Sequence, residues 1–356
     1  MKRIIEFLTR NPWSLLLAAL PLTLAAQLLH WSPVMIFICA ALGIIPLAAY
    51  IGEATEDLAS YTNPRLGALL NATFGNAAEL IITIAAVEAG LLELVKASIT
   101  GSIIGNLLLV LGFSMLTGGI RHGTQIFNQR NASRNAIMLV LAVVALVIPS
   151  VWSQAIGTVG NPKVEALSVG VAIIMIVLYG LGLLESNVKE SPLSHQLTKS
   201  DLPAWTLSQV ILILVGSTLG VVWLSEALVH AAEAVIVGLG ISEFFLGIIL
   251  VPIIGNVAEH FVSVQLALKN KMDLSVGIAT TSSLQIALFV APCLVFISLL
   301  LGHPLQLIFN RFELLAVLAA VVVSALVSSD GESTWLEGAG LLAVYIILGL
   351  GFFLLP

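Results

Sequence analysis

Charged residues are scarce in this sequence. Its 356 residues include only 14 Lys and Arg and 20 Asp and Glu, so 10% of the chain is charged while 59% is hydrophobic. A soluble globular domain carries about 25% charged residues, and a particle of this size needs polar side chains to cover its surface. The composition therefore excludes a soluble domain and a disordered chain. It predicts an all-α polytopic membrane protein.

Cysteine is scarce as well. Cys39 and Cys293 each lie in an apolar run and lack CxxC spacing, which argues against a disulfide framework or a zinc site. We expect both to be small buried apolar residues. The net charge of −6 offers no basic patch for nucleic acid. The expected surroundings are a lipid bilayer, with no nucleic-acid partner and no cofactor.

Apolar runs long enough to cross a membrane occur eleven times. A helix needs about 20 apolar residues to span a hydrocarbon core of about 30 Å. The runs lie at 12–30, 33–59, 65–91, 97–118, 135–153, 164–185, 205–238, 241–268, 274–301, 305–328 and 335–355. The first has no clear small-residue cleavage site after it, so we interpret it as a retained helix rather than a signal peptide.

The basic residues predict the orientation of the chain. With a cytoplasmic N-terminus, only Lys96, Lys163 and Arg311 of the 14 Lys and Arg face the opposite side. Positive residues concentrate in cytoplasmic loops, so this is the favoured orientation. An odd number of spans then places the C-terminus on the far side of the membrane.

The pattern GNxAE occurs twice, at 75–79 and at 255–259. The copies lie in the third and eighth predicted spans, five crossings apart, so they are expected to cross the membrane in opposite directions. Inverted repeats are typical of secondary transporters, whose binding sites lie near the membrane midplane. The most polar linker, at 185–201, separates the sixth span from the seventh. We predict an N-terminal helix at 1–31, five-helix repeats at 32–186 and 204–356, and a cytoplasmic linker at 187–203.

The two copies place Glu79 and Glu259 inside predicted spans. A carboxylate there is costly unless it faces a cavity or a partner. Asn76 and Asn256 lie three residues earlier and share a helix face with their glutamates. The glycine before each asparagine permits local unwinding, which would expose backbone carbonyls as further ligands. Protonated, hydrogen-bonded carboxyl groups and simple packing glycines are the alternatives.

The following span of each half also carries polar residues. Ser102 and Asn106 interrupt the fourth predicted span, and Ser282 and Gln285 interrupt the ninth. Counted from the preceding turns, Asn106 and Gln285 lie at about the depth of the two glutamates. All these donors are oxygens, which suit Ca²⁺, whereas soft metals prefer sulfur. The alternative for each hydroxyl is a bond to its own helix backbone.

The charge balance of two buried carboxylates predicts exchange. One divalent cation or two protons neutralise the pair, whereas an empty site leaves like charges together in a low dielectric. An exchanger therefore follows more naturally than a channel. Glu53 and Glu226 are candidate carboxylates of the access path or gate, or else ordinary charges near helix ends. His260 either relays protons or hydrogen-bonds a neighbour.

Four segments resemble the paired repeats of the calcium/proton exchangers, which belong to the cation/calcium exchanger superfamily. They are NATFGNAAELI (71–81), SIIGNLLLVLG (102–112), PIIGNVAEHF (252–261) and SSLQIALFVAP (282–292). The resemblance implies an eleven-span fold in which Glu79 and Glu259 bind both Ca²⁺ and H⁺. It also implies that the surrounding residues include Asn76, Asn256, Ser102, Ser282 and Gln285.

The resulting hypothesis is an antiporter, not an enzyme, that exchanges cytoplasmic Ca²⁺ for H⁺ by alternating access. The alternatives are another cation pair (Na⁺/Ca²⁺ or Mn²⁺/H⁺), a cation channel, and an intramembrane metalloenzyme, although no HExxH motif is present. Plant relatives carry an N-terminal extension that this chain lacks, so we expect a prokaryotic plasma membrane. The linker at 185–201 is mixed in charge rather than acidic, so no calcium-collecting role is expected of it. The sequence does not determine the oligomeric state, and a homo-oligomer is one alternative.

Overall fold

The computed structural model describes residues 12–62, 64–157, 160–188 and 205–355. The first eleven residues, with the basic Lys2, Arg3 and Arg10, lie outside this part of the chain. So does most of the predicted linker at 187–203, with Lys189 and Lys199.

Eleven helical segments follow one another through the described residues. They are α1 (Trp13–Leu28), α2 (Pro33–Ser60), α3 (Pro64–Phe74 and Ala77–Glu88), α4 (Leu92–His122), α5 (Gln129–Ile156), α6 (Pro162–Val188), α7 (Leu207–Leu239), α8 (Glu243–Leu268), α9 (Met272–Leu300), α10 (Arg311–Val327) and α11 (Trp335–Phe353). All but α1, α3 and α10 are continuous helices long and apolar enough to cross a membrane. The predicted all-α membrane fold with eleven helices is confirmed.

Several predicted boundaries were wrong. Helix α4 extends beyond 97–118 at both ends, and α5 begins at Gln129 rather than at 135. The earlier start of α5 has a local cause, because the Asn128 side chain accepts a hydrogen bond from the backbone N–H of Asn131 at 3.1 Å. The span predicted at 305–328 begins as a helix only at Arg311.

The residues before α10 form a non-helical segment, 303–310, which we call the strap and in which Leu305, Gln306, Leu307 and Phe309 are buried. Serine hydroxyls of three helices accept its alternate backbone N–H groups: Leu305 donates to Ser298 of α9 at 2.8 Å, Leu307 to Ser168 of α6 at 3.0 Å, and Phe309 to Ser150 of α5 at 2.9 Å. Extended backbone is tolerated among membrane helices only where such partners exist. The apolar run predicted a helix here because hydropathy does not reveal partners from other helices.

Two close helix pairs frame the interior. Helix α2 packs along α7, where Cβ atoms at Gly43 and Gly220 would lie 2.8 Å from Leu224 and 2.7 Å from Leu47. Helix α4 packs against α8 and α11. Glycine at such points lets two helices approach closely.

A short antiparallel pair of strands joins two loops on one side of the helices. β1 (Gln125–Ile126) pairs with β2 (Glu332–Ser333), with Gln125 opposite Ser333. The pair ties the loop between α4 and α5 to the loop between α10 and α11, and it was not predicted from the sequence.

Candidate functional site

Helix α3 is interrupted at the first GNxAE copy. The backbone N–H of Gly75 donates to Asn71 O at 2.8 Å, and regular helix resumes at Ala77. A Cβ atom at Gly75 would lie 2.5 Å from Asn71 O, so the close approach requires glycine. The unwinding predicted for this copy is found.

The second copy does not unwind, and that part of the prediction was wrong. Helix α8 continues through Gly255 and Asn256. Its irregularity is a π-helical segment at Leu246–Leu250, just before Pro252, which has no N–H to donate. The Asn256 side-chain amide donates to Pro252 O at 3.0 Å. The break therefore precedes the motif instead of interrupting it.

A chain of polar side chains joins α3, α4 and α9. The Asn76 Nδ2 atom donates to Gln285 Oε1 at 2.6 Å, and the Ser282 hydroxyl donates to Asn76 Oδ1 at 3.1 Å. The Asn106 amide in turn donates to Ser282 Oγ at 3.0 Å. All four residues are buried. The chain holds each amide in one orientation and leaves oxygen atoms concentrated at one place.

A second polar contact joins α4 to α8. Asn256 Nδ2 donates to Ser102 Oγ at 3.4 Å, while Asn256 Oδ1 is buried without a hydrogen-bond partner. The oxygen that remains free is the atom a cation would bind, because amide oxygens are hard donors.

Both glutamates interact with residues of these two contacts. Glu79 is 5% exposed, and it interacts electrostatically with Glu259 and with the Asn256 side chain. Glu259 interacts in turn with Ser282. One carboxylate oxygen of each glutamate, Oε1 of Glu79 and Oε2 of Glu259, is buried without a partner. Two interacting carboxyl groups, each with a buried unpartnered oxygen, are stable only if a cation or protons neutralise them.

All eight residues predicted for the site lie in this one connected group. They are Asn76, Glu79, Ser102, Asn106, Asn256, Glu259, Ser282 and Gln285. Among the described residues, no group of three or more His, Cys, Asp and Glu side chains is placed to hold a metal ion. The arrangement offers two carboxylates, whose charges can neutralise one divalent cation. Neutral amide and hydroxyl oxygens supply further ligands.

Three other predicted residues lie apart from this group or at its edge. Glu53 of α2 and Glu226 of α7 are exposed. His260 follows Glu259, and its Nε2 atom is buried without a partner. The neighbouring Phe261 stacks edge-on against Trp13 of α1, with ring centroids 4.9 Å apart.

The sequence interpretation missed the residues that bring α4 and α8 together. A Cβ at Gly101 would lie 2.7 Å from Pro252 Cγ and would overlap Ile248 O, and a Cβ at Gly247 would lie 2.7 Å from Ala97 Cβ. This close approach permits the Asn256–Ser102 contact. A small-residue pattern on both helices was the available signal.

Two π-helical segments also went unpredicted. They lie at Gly105–Val110 of α4, which contains Asn106, and at Ile286–Val290 of α9, directly after Gln285. They occupy corresponding positions, because the two GNxAE copies are 180 residues apart in the sequence. π-helical turns are frequent at functional sites because they reorient side chains locally.

Comparisons with known proteins give matches along most of the chain. The model of the family described as sodium/calcium exchanger protein matches residues 32–185 and 209–354. The chain is 46% identical to a Ca²⁺/H⁺ antiporter of Aphanothece halophytica, with 96% of each chain covered. It is 44% identical to the Ca²⁺/H⁺ antiporter ChaA of Bacillus subtilis, covering 96% of this chain and 98% of that one.

A solved structure, that of native YfkE, has a similar fold. It superposes with a TM-score of 0.85 at 43% identity, and the match covers 96% of this chain and all of the other. The arrangement of eleven helices is therefore shared along nearly the whole chain.

Proposed function

Because the chain belongs to the sodium/calcium exchanger protein family, we propose that it is a secondary antiporter that exchanges Ca²⁺ for H⁺ across a membrane. The support from relatives is strong, since two chains that match along almost their full length at 46% and 44% identity are named Ca²⁺/H⁺ antiporters. These relatives are transporters by name, which favours a carrier over an enzyme.

One observation carries the proposal. Glu79 and Glu259 interact electrostatically, and each has one buried carboxylate oxygen without a hydrogen-bond partner. One Ca²⁺ or two protons neutralise the pair equally well, so each species displaces the other. A site that holds neither Ca²⁺ nor protons leaves two negative charges together in a low dielectric. A change of access in that state is too costly, so the protein does not return empty to the other side.

Each of the remaining six site residues has a role in this proposal. Asn256 contributes its free Oδ1 atom, and Asn76 lies at the break in α3. Ser102, Ser282, Gln285 and Asn106 orient these amides and complete the oxygen shell. Ca²⁺ accepts six to eight oxygens in flexible geometry, so neutral donors can supplement two carboxylates.

Alternating access follows from the duplicated motif. We propose that 32–186 and 204–356 form inverted five-helix repeats, with 1–31 as an additional helix and 187–203 as a cytoplasmic linker. The N-terminus lies in the cytoplasm and the C-terminus on the other side, as the basic residues indicate. The exposed Glu53 and Glu226 lie on the closely packed pair α2 and α7, where they line the access path. The membrane is a prokaryotic plasma membrane.

The test is ⁴⁵Ca²⁺ uptake into proteoliposomes with an imposed pH gradient. We expect uptake that collapses when the gradient is dissipated and that is abolished in Glu79→Gln and in Glu259→Gln. Glu337→Gln is the matched control, since Glu337 serves as a helix cap in α11, where its carboxylate accepts from the backbone N–H of Thr334 at 2.7 Å. Uptake that persists in either site variant would contradict the proposal.

The same vesicles separate the alternatives. Uptake that follows a Na⁺ gradient instead of the pH gradient indicates Na⁺/Ca²⁺ exchange. Competition by Mn²⁺ stronger than that by excess Ca²⁺ indicates a Mn²⁺/H⁺ exchanger. Flux that needs no counter-ion gradient indicates a channel.

A further inference from the structure

A buried carboxyl group outside the transport site lies at the start of α10. Glu313 is 1% exposed. Its Oε2 atom accepts the backbone N–H of Asn310 at 2.7 Å, and Asn310 Oδ1 accepts the N–H of Glu313 at 2.9 Å. These two bonds form a capping box and occupy only one carboxylate oxygen. The other oxygen, Oε1, is buried without a partner.

Glu313 also lines a small internal cavity between α4, α5 and α10. The cavity measures about 10 Å³ and is bounded by Thr100, Val143, Leu146, Phe309, Glu313, Leu314 and Val317. Its polar side chains are Glu313 and Thr100, which interact with each other. A cavity of about 10–15 Å³ with two or more polar partners holds one water molecule.

The charged groups that interact with Glu313 are Lys96 and Glu93 of α4. On α4, Lys96 Nζ lies 2.6 Å from Glu93 Oε1 and donates to Ile308 O at 3.1 Å. It makes no ion pair with Glu313, although both Lys96 and Glu93 interact with it electrostatically. Helix α5 presents only Val143 and Leu146 to the cavity. The single ammonium group of Lys96 therefore interacts with two carboxyl groups, those of Glu93 and Glu313.

The residue that corresponds to Thr100 in the other half of the protein has a different hydrogen-bond partner. Thr280 lies 180 residues after Thr100, and Asn135 of α5 donates its amide hydrogen to Thr280 Oγ1 at 2.9 Å. At the Thr100 position the facing group is the Glu313 carboxyl group, which accepts from the Thr100 hydroxyl when it is ionised and can also donate when it carries a proton. An amide that always donates is thus replaced by a group whose hydrogen bonding changes with protonation.

We propose that Glu313, Thr100 and one water molecule form a second proton-binding site, separate from Glu79 and Glu259. Thr100 precedes Ser102 by two residues on α4, so loss of this proton alters how α4 packs against α10 at the level of the transport site. The site therefore gives transport a pH dependence that is not due to competition between Ca²⁺ and H⁺ at the glutamate pair.

Infrared difference spectroscopy of the full chain in lipid tests the proposal, with pH as the variable and Ca²⁺ saturating. Saturating Ca²⁺ keeps Glu79 and Glu259 deprotonated, so a remaining carbonyl band of a protonated carboxyl group comes from elsewhere. We expect this band in the wild type, its absence in Glu313→Gln and a shifted frequency in Thr100→Val. Glutamine retains the capping acceptor, so Glu313→Gln preserves the fold.

Glu337→Gln is the control, because Glu337 occupies the same capping position in α11. It should keep the band. Glu313→Gln should also change the pH profile of ⁴⁵Ca²⁺ uptake at saturating Ca²⁺, whereas Glu337→Gln should not. A band that survives in Glu313→Gln, or an unchanged pH profile in that variant, would overturn the proposal. Neither result affects the proposed exchange itself, which depends on Glu79 and Glu259.

Discussion

The side chain of Glu79 lies directly against Gly255. A Cβ atom on Gly255 would be 2.9 Å from Cγ of Glu79 and 3.5 Å from its Cδ. The acid of the first GNxAE copy is thus in contact with the glycine of the second, where α3 and α8 meet. The second glycine makes room for the carboxyl group, whereas the first permits the break in α3.

Gly255→Ala should therefore weaken Ca²⁺ transport while the protein still folds. Overpacking of this kind costs about 1–3 kcal/mol, and here the strain falls on the position of the Glu79 carboxylate. We expect the apparent Ca²⁺ affinity in vesicle uptake to fall by roughly 5- to 150-fold. Gly340→Ala in α11, where an added Cβ meets nothing within 4 Å, is the control. Equal affinities in the two variants would show that the contact is unimportant.

Asn106 acts through Ser282, and a double-mutant cycle can measure this. The Asn106 amide donates to Ser282 Oγ, which donates to Asn76 Oδ1. Asn106→Ala and Ser282→Ala should each reduce the apparent Ca²⁺ affinity, and their effects should be non-additive by about 0.5–3 kcal/mol because both break one chain.

A cycle that pairs Asn106→Ala with Thr117→Ala serves as the comparison. The Thr117 hydroxyl bonds to Phe113 O in its own helix. This second cycle should be additive within about 0.5 kcal/mol. Additivity in the Asn106–Ser282 cycle would mean that the two residues act independently.

Ca²⁺ binding should release protons from Glu79 and Glu259. A metal binds the deprotonated ligands, so binding displaces up to two protons and the apparent affinity falls as the pH is lowered. Calorimetry in two buffers of different ionisation enthalpy counts the protons released. Glu79→Gln should release at most one, and Glu337→Gln should match the wild type. An affinity that does not change with pH would contradict exchange at a shared site.

The strap at 303–310 should depend on its serine partners. Ser168→Ala leaves the buried N–H of Leu307 without the acceptor that lies at 3.0 Å. The expected loss is about 1–3 kcal/mol of unfolding free energy, measured as a lower Tm in detergent. Ser324→Ala is the control, because the Ser324 hydroxyl donates only to Val321 O of its own helix. Indistinguishable Tm values would show that the strap finds another acceptor.

Much of the helical architecture was predictable because the hydropathy that favours membrane insertion is a property of each local stretch of sequence. Runs of apolar residues indicated all eleven helices, although α4 and α5 proved longer than their runs. The strap was predicted as helix because its apolar residues resemble those of a span. Its non-helical backbone is stabilised by hydroxyl groups of α5, α6 and α9. The residues of the strap do not themselves indicate that these groups lie beside it.

The contacts of the candidate site were less predictable than its members. Asn76 and Gln285 are 209 residues apart and share a hydrogen bond of 2.6 Å. Depth counting placed Gln285 at the level of the glutamates, and helix spacing placed Asn76 on the same face as Glu79, but neither indicated that the two side chains touch. Glu313 was not identified at all, because at the level of sequence it is an ordinary glutamate beside a predicted span.

By itself, the sequence determined the membrane environment, the number of spans and the duplication of the GNxAE motif, because hydropathy and repetition are properties of the chain alone. The predicted inversion of the two halves follows from the parity of the spans and stays a prediction. Only the tertiary structure decided that α3 unwinds while α8 does not, that Glu79 lies on Gly255, and that Glu313 is buried. Those outcomes depend on how closely neighbouring helices approach, which is set by packing between residues far apart in the chain.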